Sequence, residues 1–322
     1  MSLMNPRKAR WRLWLALAVV LAAGYALVLK FVAAPPLAPE LPEDARWAAA
    51  PPSTVALEVT PLVMGRRKIP RCVAAGKASC FASAEVVHVS YLVKHPQGTF
   101  LIDAGLSSHA RDDLAKFALK ERLALDWTPE GDLKEDLVAQ GSPKIDFVVL
   151  THDHWDHTSG LVDLPHPHVL MGPGEVEFGR AYPKSKPPAV MPEHLQGAVV
   201  EPFAWDGPAY ENFPKSHDVF RDGSVVLVPL PGHTPGSLGV FLNNVHGRRL
   251  LFVGDAAWSR SGYELPSHKP RPVSDLVDHD RAALSQTLWR LHELHLHAPE
   301  LIIVPAHDAD GLADVRALKG AH

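Results

Sequence analysis

Thr151-His152-Asp153-His154-Trp155-Asp156-His157 follows directly on Ile145-Asp146-Phe147-Val148-Val149-Leu150. The apolar run is short and rich in β-branched and aromatic residues, which predicts a buried strand. Open α/β sheets collect ligand-binding groups where the chain leaves such strands. His152 and His154 stand two apart, so in an extended segment both side chains point to one side. Asp156 and His157 follow where the chain turns, and Gly160 permits a tight bend there.

The same placement recurs three times. The apolar run 225–230 precedes Pro231-Gly232-His233-Thr234-Pro235-Gly236. The run 250–253 precedes Gly254-Asp255. The run 301–304 precedes Pro305-Ala306-His307-Asp308. Taken singly, His233 or His307 reads as an ordinary loop histidine; the shared register at strand ends argues for a common site. Neutral imidazole and carboxylate suit zinc, and also iron or manganese. Asp255 is the natural carboxylate to bridge two cations. Two metals roughly 3.5–4 Å apart can hold a hydroxide between them and lower the pKa of water to about 7.

This combination resembles the metallo-β-lactamase superfamily: His152-x-His154-x-Asp156-His157, then Pro-Gly-His233-Thr-x-Gly, then Gly-Asp255, then a late His307. The resemblance covers residues 84–310 and implies an α/β fold, the αβ/βα sandwich of that superfamily, with the metal site at the shared edge of the sheets. It implies that His152, His154 and His233 hold a first metal. Asp156, His157 and His307 hold a second, and Asp255 bridges. Asp103, in Phe100-Leu101-Ile102-Asp103-Ala104-Gly105, matches an early Asp that supports the histidine loop; its plainer reading is a strand-end turn residue. Within the superfamily the pattern is most similar to the lactonase-like branch, which includes N-acyl homoserine lactonases. The stretch through Asp255-Ala256-Ala257 to Asp278-His279-Asp280 carries that similarity. That branch often has a Tyr three residues after the bridging Asp, donating to the substrate oxygen. Here the position is Trp258, whose indole N–H donates but is no acid near neutral pH.

The implied function is a metal-dependent hydrolase whose bridging hydroxide opens a lactone or similar ester, with Asp156 passing a proton to the leaving group. Asp156, Asp255 and Trp258 are thus the expected catalytic residues, and two divalent ions, Zn2+ or else Fe or Mn, the cofactors. Alternatives are a glyoxalase II-like thioesterase, another ester or phosphodiester hydrolase of the superfamily, and a non-catalytic metal-binding membrane protein. Fold alone does not choose among them.

The chain has 322 residues, is 46% hydrophobic and carries a net charge of −4. That allows one sizeable catalytic domain, here residues 53–322. No basic patch is visible, so a small-molecule ester or lactone, not nucleic acid, is the expected partner. Residues 1–12 form a basic N-terminus with Arg7, Lys8, Arg10 and Arg12. Residues 13–32 form an apolar segment of near-spanning length. The basic flank favours a cytoplasmic N-terminus and an exported remainder. A retained transmembrane signal anchor and a cleaved signal peptide both fit. Tethering places the domain in a bacterial-type periplasm or at the cell surface; cleavage makes it secreted. Residues 33–52 are rich in Pro and Ala, the composition of an extended linker. Cys72 and Cys80, the only cysteines, form either a disulfide or two free thiols.

Elsewhere, residues 55–63, 85–93 and 99–102 read as strands, with Gln97-Gly98 a hairpin turn. Residues 108–125 and 280–297 read as amphipathic helices, the first with Leu114, Phe117, Ala118 and Leu125 inward. His292, His295 and His297 are expected as surface histidines. Residues 171–222, with many prolines and aromatics, suit either a substrate-facing lid or a loop anchored on the core. Trp258 and Tyr263 are expected near substrate.

Overall fold

The structure, a computed structural model, describes residues 11, 14–25, 47, 48, 50, 51, 53–182 and 189–318. Its strands are β1 (Glu58–Pro70), β2 (Ser83–His95), β3 (Gly98–Ile102), β4 (Thr128–Pro129), β5 (Phe147–Leu150), β6 (His168–Met171), β7 (Val199–Pro202), β8 (His217–Asp218), β9 (Val225–Pro229), β10 (Leu238–Val245), β11 (Arg248–Phe252) and β12 (Ile302–Val304). They form a seven-stranded sheet, β4-β1-β2-β3-β5-β6-β7, and a five-stranded sheet, β12-β11-β10-β9-β8. β3, β5, β6 and β7 run parallel, as do β11 and β12. Their C-terminal ends therefore gather on one edge.

Period-two alternation sets the layers. Val87, Val89, Tyr91 and Val93 of β2 meet Leu238, Val240 and Leu242 of β10 between the two sheets. Leu92 of β2 faces the other way, under Leu114, Leu133 and Leu137. These three come from the helices Ala110–Ala115 and Leu133–Ala139. Phe241 of β10 faces Leu284, Leu288, Leu291 and Leu294 of the helix Arg281–His297. The order helix, sheet, sheet, helix buries both faces of each sheet.

Several expectations are corrected. The helix expected over 108–125 is two helices, Ala110–Ala115 and Leu119–Leu125, separated where Ala118 turns extended (ψ 157°). The break seats Phe117 edge-on against Trp155 at 5.7 Å and leaves Ala118 exposed. Most aromatics of 171–222 anchor the segment: Tyr210 and Phe213 are buried in one core, and Phe203 and Trp205 pack against another. Tyr263 is also core, 4% exposed, with its hydroxyl on the Ile303 carbonyl at 3.4 Å. His292 donates to the Tyr263 carbonyl at 2.9 Å, far from any ligand role.

Residues 14–25 are helical and exposed; the continuation of the apolar segment, 26–32, lies outside the described residues. Among the described residues no helix is long and apolar enough to cross a membrane. Most of the 33–52 linker is likewise outside them. Its end touches the domain: the exposed Trp47 ring lies 4.5 Å from that of His297, and the Ala48 N–H donates to the Glu211 carbonyl at 2.7 Å.

Cys72 and Cys80 form a disulfide across a Cα separation of 4.8 Å. Closing that short loop restricts the unfolded chain by about 2–3 kcal/mol. Reducing agent is expected to lower the melting temperature of the domain by roughly 4–10 °C in a thermal scan. An unchanged melting temperature would count against a stabilising bond.

Candidate metal centre

The site residues all lie on the gathered edge. His152 and His154 follow β5, and Asp156 and His157 sit in the one-turn helix Trp155–Thr158. His233 follows β9, Asp255 follows β11 and His307 follows β12. Two donor groups meet at Asp255, each with its ligand-type atoms mutually within 4.8 Å. One is His152, His154, His233 and Asp255; the other is His157, Asp255 and His307. Asp255 belongs to both. Its Oδ2 lies 3.4 Å from His233 Nε2 and 4.0 Å from His152 Nε2. Its Oδ1 lies 3.3 Å from His157 Nε2 and 3.1 Å from His307 Nε2. Asp156 stands further out, with Oδ2 3.5 Å from His307 Nε2.

Neighbouring groups orient the imidazoles. His157 Nδ1–H donates to Asp103 Oδ2 at 2.8 Å. His233 Nδ1–H donates to Asp278 Oδ1 at 2.8 Å, and His307 Nδ1–H to the Val87 carbonyl at 2.8 Å. In each case Nε2 is the ring nitrogen left facing inward. Asp278 is itself held by the buried Lys269 ammonium at 2.9 Å, which also donates to the Asp255 carbonyl at 3.0 Å. Glu175, fully buried, ties the histidine loop to the Pro-Gly-His loop by accepting from the N–H groups of Asp153 and Gly236. Sequence reasoning assigned no role to Asp278, Lys269 or Glu175. Asp278 entered only as part of the Asp278-His279-Asp280 stretch, two residues before the predicted helix 280–297, with no contact assigned to it.

Burial and charge set the protonation. Burial, reinforced by the facing histidines, drives His152 well below its ordinary value and His154 down to about 3. These rings are neutral and free to donate lone pairs. Burial opposes charge on His157 and His307 too, but Asp103 and Asp255 outweigh it for the first and Asp255 for the second, and both are raised. Burial would lift Asp255, yet His307 and His157 hold it well below the usual carboxylate range.

The donor set fits divalent cations. His233 Nε2 lies 2.8 Å from His154 Nδ1 and 3.2 Å from His152 Nε2. Three imidazole nitrogens that close can share one cation. In the other group, His157 Nε2 and Asp255 Oδ1 are buried without hydrogen-bond partners. Leaving such atoms unsatisfied costs about 1–3 kcal/mol each, and a cation in their midst satisfies both.

A narrow cavity of about 60 Å³ opens onto the centre, floored by His154, Asp156 and Asp255. Its walls are mostly apolar, with Phe117, Leu125, Trp155, Leu276, Val277 and Ala189, and Glu121 stands among them. Among the described residues of 171–222 only Ala189 reaches it; 183–188 lie outside them. Trp258 also lines it, but its Nε1–H donates to Asp255 Oδ2 at 2.7 Å. Trp258 thus holds the shared carboxylate, where the sequence comparison expected a donor aimed at substrate.

Gly232 makes the His233 turn possible. Its φ is +131°, and a Cβ there would fall 2.3 Å from the backbone N of Leu284. Gly232→Ala is expected to cost about 2–4 kcal/mol and to weaken cation binding at the His152 group. Denaturant unfolding and metal titration check both effects.

A family model described as the metallo-beta-lactamase superfamily matches residues 84–307. The chain belongs to that superfamily and is a metallo-hydrolase of its fold. A probable metallo-hydrolase of Mycobacterium tuberculosis is 28% identical over 247 residues, which is 73% of this chain and 78% of the relative. An N-acyl homoserine lactonase of Rhizobium radiobacter, AttM, is 24% identical over 247 residues, 73% of this chain and 87% of its own. A solved N-acyl homoserine lactone hydrolase, with N-hexanoyl-L-homoserine at its catalytic metal centre, matches with a TM-score of 0.61 at 16% identity. That match covers 81% of this chain and 96% of the other, a likeness of fold.

Proposed function

We propose that this hydrolase holds two divalent cations, zinc foremost, and opens lactones or similar esters with an apolar acyl portion. One observation carries the reading: the two oxygens of Asp255 face two separate imidazole groups, the arrangement a bridging carboxylate requires. His152, His154 and His233 hold the first cation; Asp156, His157 and His307 hold the second. When bound, the pair supplies an acidified water and a Lewis acid for the ester carbonyl. The chain's own residues do the rest. Phe117, Leu125, Leu276 and Val277 exclude water and seat the acyl chain. Asp156, at the cavity floor, moves the proton to the leaving oxygen. Trp258 and Lys269 fix Asp255 from either side. The lactonase relatives support the substrate class.

We also propose that residues 13–32 anchor the protein in a membrane, residues 33–52 link it, and the catalytic domain is exported. The basic flank at Arg7, Lys8, Arg10 and Arg12 and the Cys72–Cys80 disulfide support this. Protease treatment of intact cells, removing the domain while sparing a cytosolic marker, is the expected result; full protection would refute export.

The deciding assay follows ring opening of a long-chain acyl homoserine lactone by proton release. It uses the full chain in detergent, with added zinc or manganese, beside His154→Ala. Metal-dependent opening that the variant lacks is expected. Two cations bound without lactone opening would redirect the substrate to other esters, thioesters or phosphodiesters. No bound cation would overturn the reading.

A further inference from the structure

We propose that His88 is an additional ligand of the second cation, an eighth side chain in the centre beyond the seven of the motif; the proposal rests on the two-cation reading above. His88 lies on β2 between Val87 and Val89, which face the core between the sheets. Alternation turns its ring the other way, into the metal centre. It is 7% exposed, and its Nδ1 is buried without a hydrogen-bond partner. That nitrogen lies 3.6 Å from Asp156 Oδ2, too far for a hydrogen bond. The ring stands edge-on to His307 at 5.4 Å between centroids. Trp127 and Trp155 wall it at 5.8 and 6.5 Å.

The spacing is that of ligands around an ion. Donors about 2.0–2.2 Å from one cation stand roughly 3–3.5 Å from each other at angles near 90–109°. Asp156 Oδ2 and His307 Nε2 are 3.5 Å apart, and His88 Nδ1 continues the series at 3.6 Å from Asp156. His88, Asp156 and His307 form a donor group of their own, all within 4.8 Å, sharing His307 with the group at Asp255. The backbone adds rigidity. Val87, the residue before His88, accepts from His307 Nδ1–H at 2.8 Å and donates its N–H to the His307 carbonyl at 3.3 Å. The strand that presents His88 therefore also aims His307. A further imidazole biases the position toward zinc and away from manganese.

The test titrates zinc into the metal-free full chain against a chromophoric chelator, for the wild type, His88→Gln and His88→Phe. Gln is polar but offers no imidazole; Phe fills the space between the tryptophans. The expected result is an unchanged first equivalent and a second weakened roughly 10–100-fold in both variants. Cadmium NMR of the substituted wild type, which needs no variant to fold, is expected to show coupling from the metal to the His88 ring. Coupling to the His157 and His307 rings without His88, or a second equivalent unchanged in both variants, overturns the assignment and leaves the two-cation reading standing. A wild type that takes fewer than two zinc ions overturns both.

Discussion

Asp255→Ala is expected to lower kcat/KM by roughly 1,000-fold or more, about 4 kcal/mol of transition-state stabilisation, and to leave a protein that no longer retains two cations. His152, His154, His157 and His233 each serve one donor group, so removing one of them weakens one position. Asp255 serves both, with Oδ1 within 3.3 Å of His157 and His307 Nε2 and Oδ2 3.4 Å from His233 Nε2. Its loss also deletes the one negative charge between the groups and strips the Trp258 N–H of its acceptor. Folding is a separate effect to be controlled: taking one partner from a buried charged cluster costs about 3–5 kcal/mol. Metal analysis after dialysis, with the melting temperature of the metal-free form as control, separates the two. Full activity in a metal-replete Asp255→Ala protein would falsify the two-metal mechanism.

What the chain discloses on inspection follows from where it places its chemistry. The four apolar runs ending in ligand-type residues are β5, β9, β11 and β12, and their ends do meet on one edge. The signal was strong because each strand is buried on both faces, so its apolar run is continuous and its polar end abrupt. Strand β2 hid its contribution. His88 sits amid Val86, Val87 and Val89, where a single polar residue in an apolar strand gives no hint of what lies opposite. Only the pairing of β2 with its neighbours and the return of the chain at His307 put Asp156 beside it. Lys269 was equally silent, since a lysine in a proline-flanked loop reads as solvated until Asp278 and the Asp255 carbonyl close around it.

Helix periodicity misled for a related reason. The 108–125 pattern is apolar at helical spacing, but Asp113 is buried, accepting from Ser159 and His194 at 2.8 and 3.0 Å. That network ties the first helix to Ser159 of the turn 159–163, and the helical run breaks before Leu119. The second helix then presents Leu119 and Leu123 outward at 69% and 68% exposure, while Leu125 lines the cavity. The aromatic segment 171–222 was ambiguous because anchoring and lid-forming sequences share a composition. Packing decided for the anchor.

Asp103 joins fold stability to the metal centre, and its two substitutions are expected to separate these effects. It ends β3 in the left-handed region, with φ +56°. Its Oδ1 accepts from the Thr151 N–H at 2.7 Å, and its Oδ2 accepts from the Thr151 hydroxyl at 2.9 Å and from His157 Nδ1–H at 2.8 Å. Both readings of this residue, turn former and supporter of the histidine loop, therefore describe one side chain. Asp103→Ala removes all three acceptor contacts in a buried place and puts a residue ill-suited to positive φ at the turn; the expected cost is about 3–5 kcal/mol, read from denaturant unfolding. Asp103→Asn tolerates the left-handed backbone and keeps the acceptor for the Thr151 N–H, so it is expected to cost only about 1 kcal/mol. Its amide NH2, however, replaces the oxygen that fixes His157. The ring then accepts at Nδ1 and carries its proton on Nε2, the atom that faces Asp255 and His307. The Asn variant is thus expected to fold, to keep the cation at His152, His154 and His233, and to bind the second roughly 10–100-fold more weakly. Two tightly held cations in a stable Asp103→Asn protein would show that His157 does not depend on this carboxylate for its orientation.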